Sequence, residues 1–113
     1  MGQKFSFNNN AGTSTLSVTF EGRFEKKDGN DFISEYKNTI KSIDATKYVL
    51  DLDCIKLTVA TPDVAAQLGD CFKMYSEDNF KMVKFRLGNN IVLKMQFDRL
   101  AKQAGLKNYE FVS

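Results

Sequence analysis

Short runs of β-favouring residues alternate with segments of helical spacing along most of this chain, and this alternation limits the fold more than any other feature. The predicted strands are residues 4–7, 16–24, 47–52, 80–87 and 109–112, and the predicted helices are 31–43, 62–76 and 91–104. Strands that alternate with helices indicate parallel pairing through right-handed crossovers. The sequence therefore predicts an α/β fold in the order ββαβαβαβ, with helices packed on a mostly parallel sheet.

Turn and capping residues set the predicted boundaries of these segments. The asparagines at 8–10 and Gly12 favour a turn that joins the first two strands as a hairpin. Residues 26–30 read as a loop, after which Asn30 or Asp31 supplies the N-cap of the first helix. Thr61 is placed to cap the second helix ahead of Pro62. Gly105 is well placed just after the third helix.

Composition narrows the functions that a chain of this size can have. The 113 residues are 42% hydrophobic and 27% charged, without an internal linker, which predicts one domain over residues 1–113. Histidine is absent, so the catalytic systems that depend on a Ser-His or Cys-His pair are excluded. A net charge of +2 is too small to favour nucleic-acid binding. We therefore expect no enzyme, no cofactor and no nucleic-acid partner.

Cys54 and Cys71 are too few for a disulfide framework and lack the spacing of metal ligands. They read as reduced, buried thiols, which favours a cytoplasmic location. No stretch approaches the ~20 apolar residues of a membrane span, so none is expected.

The segment from Asp51 to Asp63 carries most of the candidate chemistry, because it joins an inner strand to a helix. The helix start, with Thr58 and Thr61 beside it, suits an anion or a phosphorylated side chain. The plainer interpretation, which we favour, is that Thr61 caps the helix and Thr58 closes a loop. Asp51 and Asp53 suit a cation or acid–base pair, but a strand end that reaches solvent is favoured, since no further oxygen ligand follows at a recognisable spacing.

Two further residue classes have a functional and a plain interpretation. The basic residues towards the carboxyl terminus suit a surface for acidic partners, but interleaved Asp98 and Glu110 favour an ordinary solvated surface. These basic residues are Lys81, Lys84, Arg86, Lys94, Arg99, Lys102 and Lys107. The ten phenylalanines lie mostly at inward positions of the predicted elements, so they read as core and not as a platform for stacked bases.

Residues 16–112 resemble the STAS family, typified by bacterial anti-sigma-factor antagonists, and residues 1–14 are only weakly covered. The resemblance rests on the element order, the strand KYVLDL at 47–52, the loop–helix junction after it, and the ending FDRLAKQAGLKNYEFV at 97–112. It implies a non-enzymatic interaction and regulatory module in a bacterial signalling system. The implied partner resembles an ATP-binding anti-sigma-factor kinase or a larger signalling assembly.

The family's phosphorylation motif, Asp-Ser-Ser/Thr-Gly, falls on residues 59–62, which are Val-Ala-Thr-Pro here. Ala60 takes the phosphoacceptor position and cannot accept phosphate, so the resemblance implies constitutive binding. The implied partner surface is the loop 54–61 with the exposed face of the next helix. Its residues are Cys54, Thr58, Ala60, Thr61, Asp63, Gln67 and Asp70. The alternative is a domain that binds a small ligand or anion at the N-terminus of that second helix.

Overall fold

A computed structural model describes residues 4–59 and 62–112 of this chain. In that part the chain forms five strands and three α-helices, with a short 3₁₀ turn at Ala45–Lys47. The elements in chain order are β1 (Phe5–Asn10), β2 (Thr15–Phe24), α1 (Lys26–Ile40), β3 (Val49–Val59), α2 (Pro62–Asp78), β4 (Met82–Arg86), α3 (Ile91–Gln103) and β5 (Tyr109–Val112). The predicted α/β class is confirmed.

The five strands form one sheet in the order β1-β2-β3-β4-β5, the same order as in the chain. Strands β1 and β2 pair antiparallel, as a hairpin, and the three other pairs are parallel. The predicted hairpin and the predicted mostly parallel sheet are therefore confirmed. The parallel strands bring the segments that follow β3, β4 and β5 to one edge of the sheet, which we call the carboxyl edge.

All three helices pack on the same face of the sheet. The register aligns Leu16 with Leu50 and Val83, and each of these side chains is at most 1% exposed. Phe32, Phe72 and Phe97, one from each helix, lie on this face and make ring contacts there. The opposite face carries half-buried polar residues, such as the aligned Ser17, Asp51 and Lys84. The molecule therefore has two layers and an open, polar sheet face.

Helix α1 begins five residues earlier than its apolar spacing indicates, so the prediction of a loop at 26–30 was wrong. Glu25 is the N-cap, not Asn30 or Asp31, and it forms a capping box with Asp28. The Glu25 amide donates to Oδ2 of Asp28 at 2.9 Å. Capping supplies partners for the first backbone amides, so the helix can start at Lys26. It ends at Ile40, three residues before the predicted end.

Two strands, β1 and β3, are longer than predicted. Strand β1 continues through Asn8–Asn10, which pair in register with 15–17, so the prediction of a turn at 8–10 was wrong. Strand β3 runs to Val59 instead of ending at Leu52. An extra β3 residue lies between the pairs Thr19–Asp53 and Glu21–Lys56, and this bulge interrupts the alternation that predicts a strand.

Candidate functional site

The structure separates the residues that the sequence placed in one partner-binding loop. Residues 54–59 belong to β3, so the prediction of a loop there was wrong. Cys54 faces the core and is 3% exposed, which removes it from any partner surface. Thr58 is exposed near the end of the strand. Ala60 and Thr61 lie outside the described residues.

Asp63, Gln67 and Asp70 share one stripe of α2, because their spacing of four and three residues returns to the same side of a helix. Asp63 and Asp70 are exposed. The Gln67 side chain instead joins two helices, since its Nε2 donates to the carbonyl oxygen of Lys26 at 3.0 Å and to Oδ1 of Asn30 at 2.9 Å. This acidic stripe therefore lies on the side of α2 that faces α1.

The other side of α2 faces α3. A Cβ atom on Gly69 would lie 3.7 Å from Cδ2 of Leu100, which places these two residues at the contact between the helices. The body of α2 thus lies between the stripe with Asp63 and Asp70 and the surface of α3. A partner that binds at α3 meets a different set of charges from one that binds at that stripe.

The two thiols have no chemical role that this structure supports. Cys54 and Cys71 are both free and buried, as the sequence predicts. Burial raises the pKa of the Cys71 thiol to about 12, with a smaller effect of Asp70, and burial also raises the pKa of Cys54 strongly. Because the thiolate is the reactive form, neither residue acts as a nucleophile at neutral pH.

Asp51 and Asp53 lie on the open face of the sheet, in the middle of β3 and not at a strand end. Asp51 accepts from Nε and Nη2 of Arg86 at 2.9 and 3.0 Å, in a bidentate pair. The hydrogen bond that Arg86 donates to Asp51 is the main cause that raises the pKa of Arg86. Asp53 accepts from the backbone amide of Ile55. Across residues 4–59 and 62–112, no three acidic or cysteine side chains are grouped to hold a metal ion.

An apolar cluster at the carboxyl edge was not predicted. The structure exposes four large hydrophobic side chains among the described residues: Ile55 (52%), Ile91 (71%), Val92 (78%) and Met95 (69%). The last three occupy the first turns of α3, and their helical spacing places them on its outer surface. Ile55 approaches from β3, with Cγ2 at 3.8 Å from the position of a Cβ on Gly88. We call these four residues the α3 patch.

A groove of about 440 Å³ lies beside the α3 patch, between the start of α3 and the end of β5. Its walls combine four apolar side chains with three polar ones: Leu87, Ile91, Phe111 and Val112, and Asn89, Asn90 and Lys94. Lys94 stands at the same groove, with Nζ at 5.7 Å from the ring centroid of Phe111. The groove and the α3 patch share Ile91, so they form one continuous surface.

Helical spacing already contains a signal for this surface. Leu93, Phe97 and Ala101 form the buried stripe of α3, and their spacing explains why the segment is a helix. Ile91, Val92 and Met95 fall outside this stripe. Three large apolar residues off the buried stripe of an amphipathic helix indicate a second contact surface.

A much smaller space lies inside the protein, between α1, α2 and the sheet. It has a volume of about 30 Å³ and is lined mainly by apolar side chains, among them Phe24, Phe32, Leu57 and Val64. Oε1 of Gln67 is buried at this place and has no hydrogen-bond partner within the described part of the chain. This volume holds about one water molecule and excludes a metabolite.

Neither the family models nor the curated proteins compared with this chain give a match. Over the two described segments, no helix has both the length and the apolar character that crossing a membrane requires.

Proposed function

We propose that this protein is a non-enzymatic interaction module that binds a protein partner through the α3 patch. The observation that carries the proposal is the exposure of Ile55, Ile91, Val92 and Met95 at one edge of the sheet. Burying one such side chain against a partner contributes about 1.5–3 kcal/mol, and contiguous exposed apolar surface marks interaction sites. A partner at this edge also contacts the groove beside α3, which is a concave site for an anchoring side chain of the partner.

The proposal keeps the STAS-like interpretation of residues 1–113 as one cytoplasmic regulatory domain. The element order and the sequential parallel sheet support it. The partner in that case is an anti-sigma-factor-like kinase or a signalling assembly, bound without a phosphorylated serine because Ala60 occupies the acceptor position. The alternative, a small ligand at the N-terminus of α2, has less support, since exposed Asp63 places a negative charge in that first turn.

The experiment compares capture of proteins from the native cells by immobilised wild type and three variants. Val92→Asp places a charge in the α3 patch, Asp63→Lys reverses the charge at the start of α2, and Lys73→Glu is the control on an exposed position of α2 outside both. We expect a set of proteins that wild type, Lys73→Glu and Asp63→Lys retain and Val92→Asp loses. Melting curves check that the fold is intact, since surface changes of this kind shift stability by only about 0.5 kcal/mol.

Two results would contradict the proposal. If Val92→Asp retains the same proteins as wild type, the α3 patch is not a binding surface. If Asp63→Lys alone loses them, the partner binds at the acidic stripe of α2, which is the surface that the sequence indicates.

A further inference from the structure

We propose that the segment recognised by the α3 patch is an amphipathic helix with acidic residues flanking its apolar face. This inference rests on the proposed function and adds the chemistry of the partner. It follows from three features of the carboxyl edge: the shape of the apolar surface, the unpaired basic side chains around it, and the engagement of the acidic side chains nearby.

The shape favours a helix over an extended segment. Three of the four side chains of the α3 patch, those of Ile91, Val92 and Met95, project from a helix, so most of this apolar surface is a set of helical rows and not a strand. Side chains in rows on α3 leave channels between them that accept the rows of a second helix. The groove that includes Leu87, Ile91 and Phe111 lies alongside and takes one larger apolar side chain of that helix.

The charge around the apolar surface is basic. Lys94 stands at the groove, and Arg99 lies one helical turn beyond Met95 on the same side of α3. Both are exposed, and neither forms an ion pair with another residue of segments 4–59 and 62–112. Two unpaired cations beside an apolar surface complement carboxylates on a partner and disfavour a basic one.

The acidic side chains close to α3 are already engaged. Asp98 accepts from the hydroxyl of Tyr109 at 2.8 Å and pairs with Nζ of Lys102 at 3.0 Å. Both contacts lower the pKa of Asp98, and the contact with Lys102 has the larger effect. Asp53, the acid nearest to Ile55 in the chain, accepts from the Ile55 amide. Asp63 lies in the first turn of α2, on the stripe with Gln67 that faces α1. On α3, Lys94 and Arg99 are the basic side chains that form no ion pair with another described residue.

The test selects 16-residue peptides from a random phage-displayed library on the full chain. Four proteins are compared: wild type, Val92→Asp, the double variant Lys94→Glu/Arg99→Glu, and the control Lys107→Glu. We expect wild type and Lys107→Glu to enrich peptides with apolar residues at intervals of three and four and with net negative charge. The double variant should bind these peptides at least about tenfold more weakly, and Val92→Asp should not enrich them.

The outcomes separate this inference from the proposed function. Peptides that depend on Val92 but are basic, neutral or without helical spacing overturn the inference and leave the proposed function standing. If Val92→Asp enriches the same peptides as wild type, both the inference and the proposed function are overturned. No enrichment, together with Val92-dependent sedimentation on vesicles of phosphatidylcholine and phosphatidylglycerol, identifies a lipid surface as the ligand and also overturns both. No binding to peptides or vesicles overturns the inference as well.

Discussion

Gly29 of α1 and Gln67 of α2 meet so closely that a Cβ atom on Gly29 would lie 2.3 Å from Oε1 of Gln67. The absence of a side chain at residue 29 allows the Gln67 amide to lie against α1 and donate to Lys26 and Asn30. At the other end of the helix pair, the hydroxyl of Tyr36 donates to Oδ2 of Asp78 at 2.5 Å. Three hydrogen bonds, two from Gln67 and one from Tyr36, therefore fix the relative position of α1 and α2.

Gly29→Ala should destabilise the protein by about 1 kcal/mol, because the new methyl group displaces the Gln67 amide and its two hydrogen bonds. The effect of Gly29→Ala on the free energy of unfolding changes sign when Gln67 is absent. In a Gln67→Ala background the same Gly29→Ala change should stabilise by about 0.5–1 kcal/mol, the ordinary gain for alanine over glycine in a helix. Urea unfolding of the four proteins measures this coupling. Equal effects of Gly29→Ala in both backgrounds would show that the two residues do not interact.

Phe72→Ala should cost about 3–5 kcal/mol, the range for a large aromatic side chain removed from a core. Phe72 is 1% exposed, and its ring lies 5.0 Å from that of Phe85 and 5.3 Å from that of Phe97. The control is Phe7→Ala on the edge strand β1, where the ring is half-buried, and it should cost clearly less. Denaturant unfolding of wild type and the two variants measures both losses of stability. A loss below about 1 kcal/mol for Phe72→Ala would place this face of α2 outside the core.

Asp28→Asn should lower stability at neutral pH by about 0.5–1 kcal/mol, as for the loss of a capping carboxylate. The hydrogen bond from the Glu25 amide, and then the contact with Lys4 at 3.0 Å, lower the pKa of Asp28 in the folded state. A lowered pKa means that the stabilisation is fully present above the unfolded-state pKa of about 3.9 and is lost as the pH falls through the folded-state value.

The measurement is the free energy of unfolding of wild type and Asp28→Asn across acidic pH. The difference between the two curves isolates Asp28, because Asp44 and Asp98, whose pKa values are also lowered, titrate in both proteins. The curves should converge as the pH falls. A difference that stays constant with pH would mean that the charge of Asp28 does not stabilise α1.

Cys54 and Cys71 should resist a thiol reagent at about pH 8 until the protein opens, because burial raises the pKa of both thiols. The control is Lys73→Cys, which adds an exposed thiol to the same helix as Cys71. We expect rapid modification of one thiol in that variant and of none in wild type, measured by intact mass over time. Rapid native-state modification of Cys71 would show that α2 detaches readily from the sheet.

The sequence predicts this fold well where local signals and burial agree. Strand β5 matches its predicted bounds, and Gly105 follows α3 with a positive φ of 77°, as expected. The start of α1 was missed because its capping residue is a glutamate, which is not among the preferred N-caps, and because Gly29 resembles a turn signal. The length of β3 was missed because the bulge between Asp53 and Lys56 breaks the apolar alternation that indicates a strand.

The candidate site was harder to predict, because it depends on which faces the tertiary structure leaves uncovered. A glutamine on a helix, such as Gln67, does not show from sequence whether it faces solvent or another helix. Cys54 follows the predicted strand end, and only the longer β3 reveals that it is buried. Ile91, Val92 and Met95 carry a readable signal, since they lie off the buried stripe of their own helix.

Because the strands lie in the sheet in their chain order, each new strand pairs with the strand that precedes it in the chain. No strand has to be inserted between two that have already paired, so the loops that close during folding stay short. The parallel pairing of β2 with β3, which α1 connects, involves no residue beyond 59, while the contacts of α1 with α2 and of β3 with β4 follow later in the chain. Folding can therefore advance from the amino terminus with the growing chain, and the apolar surface of α3 is the last helical surface to form.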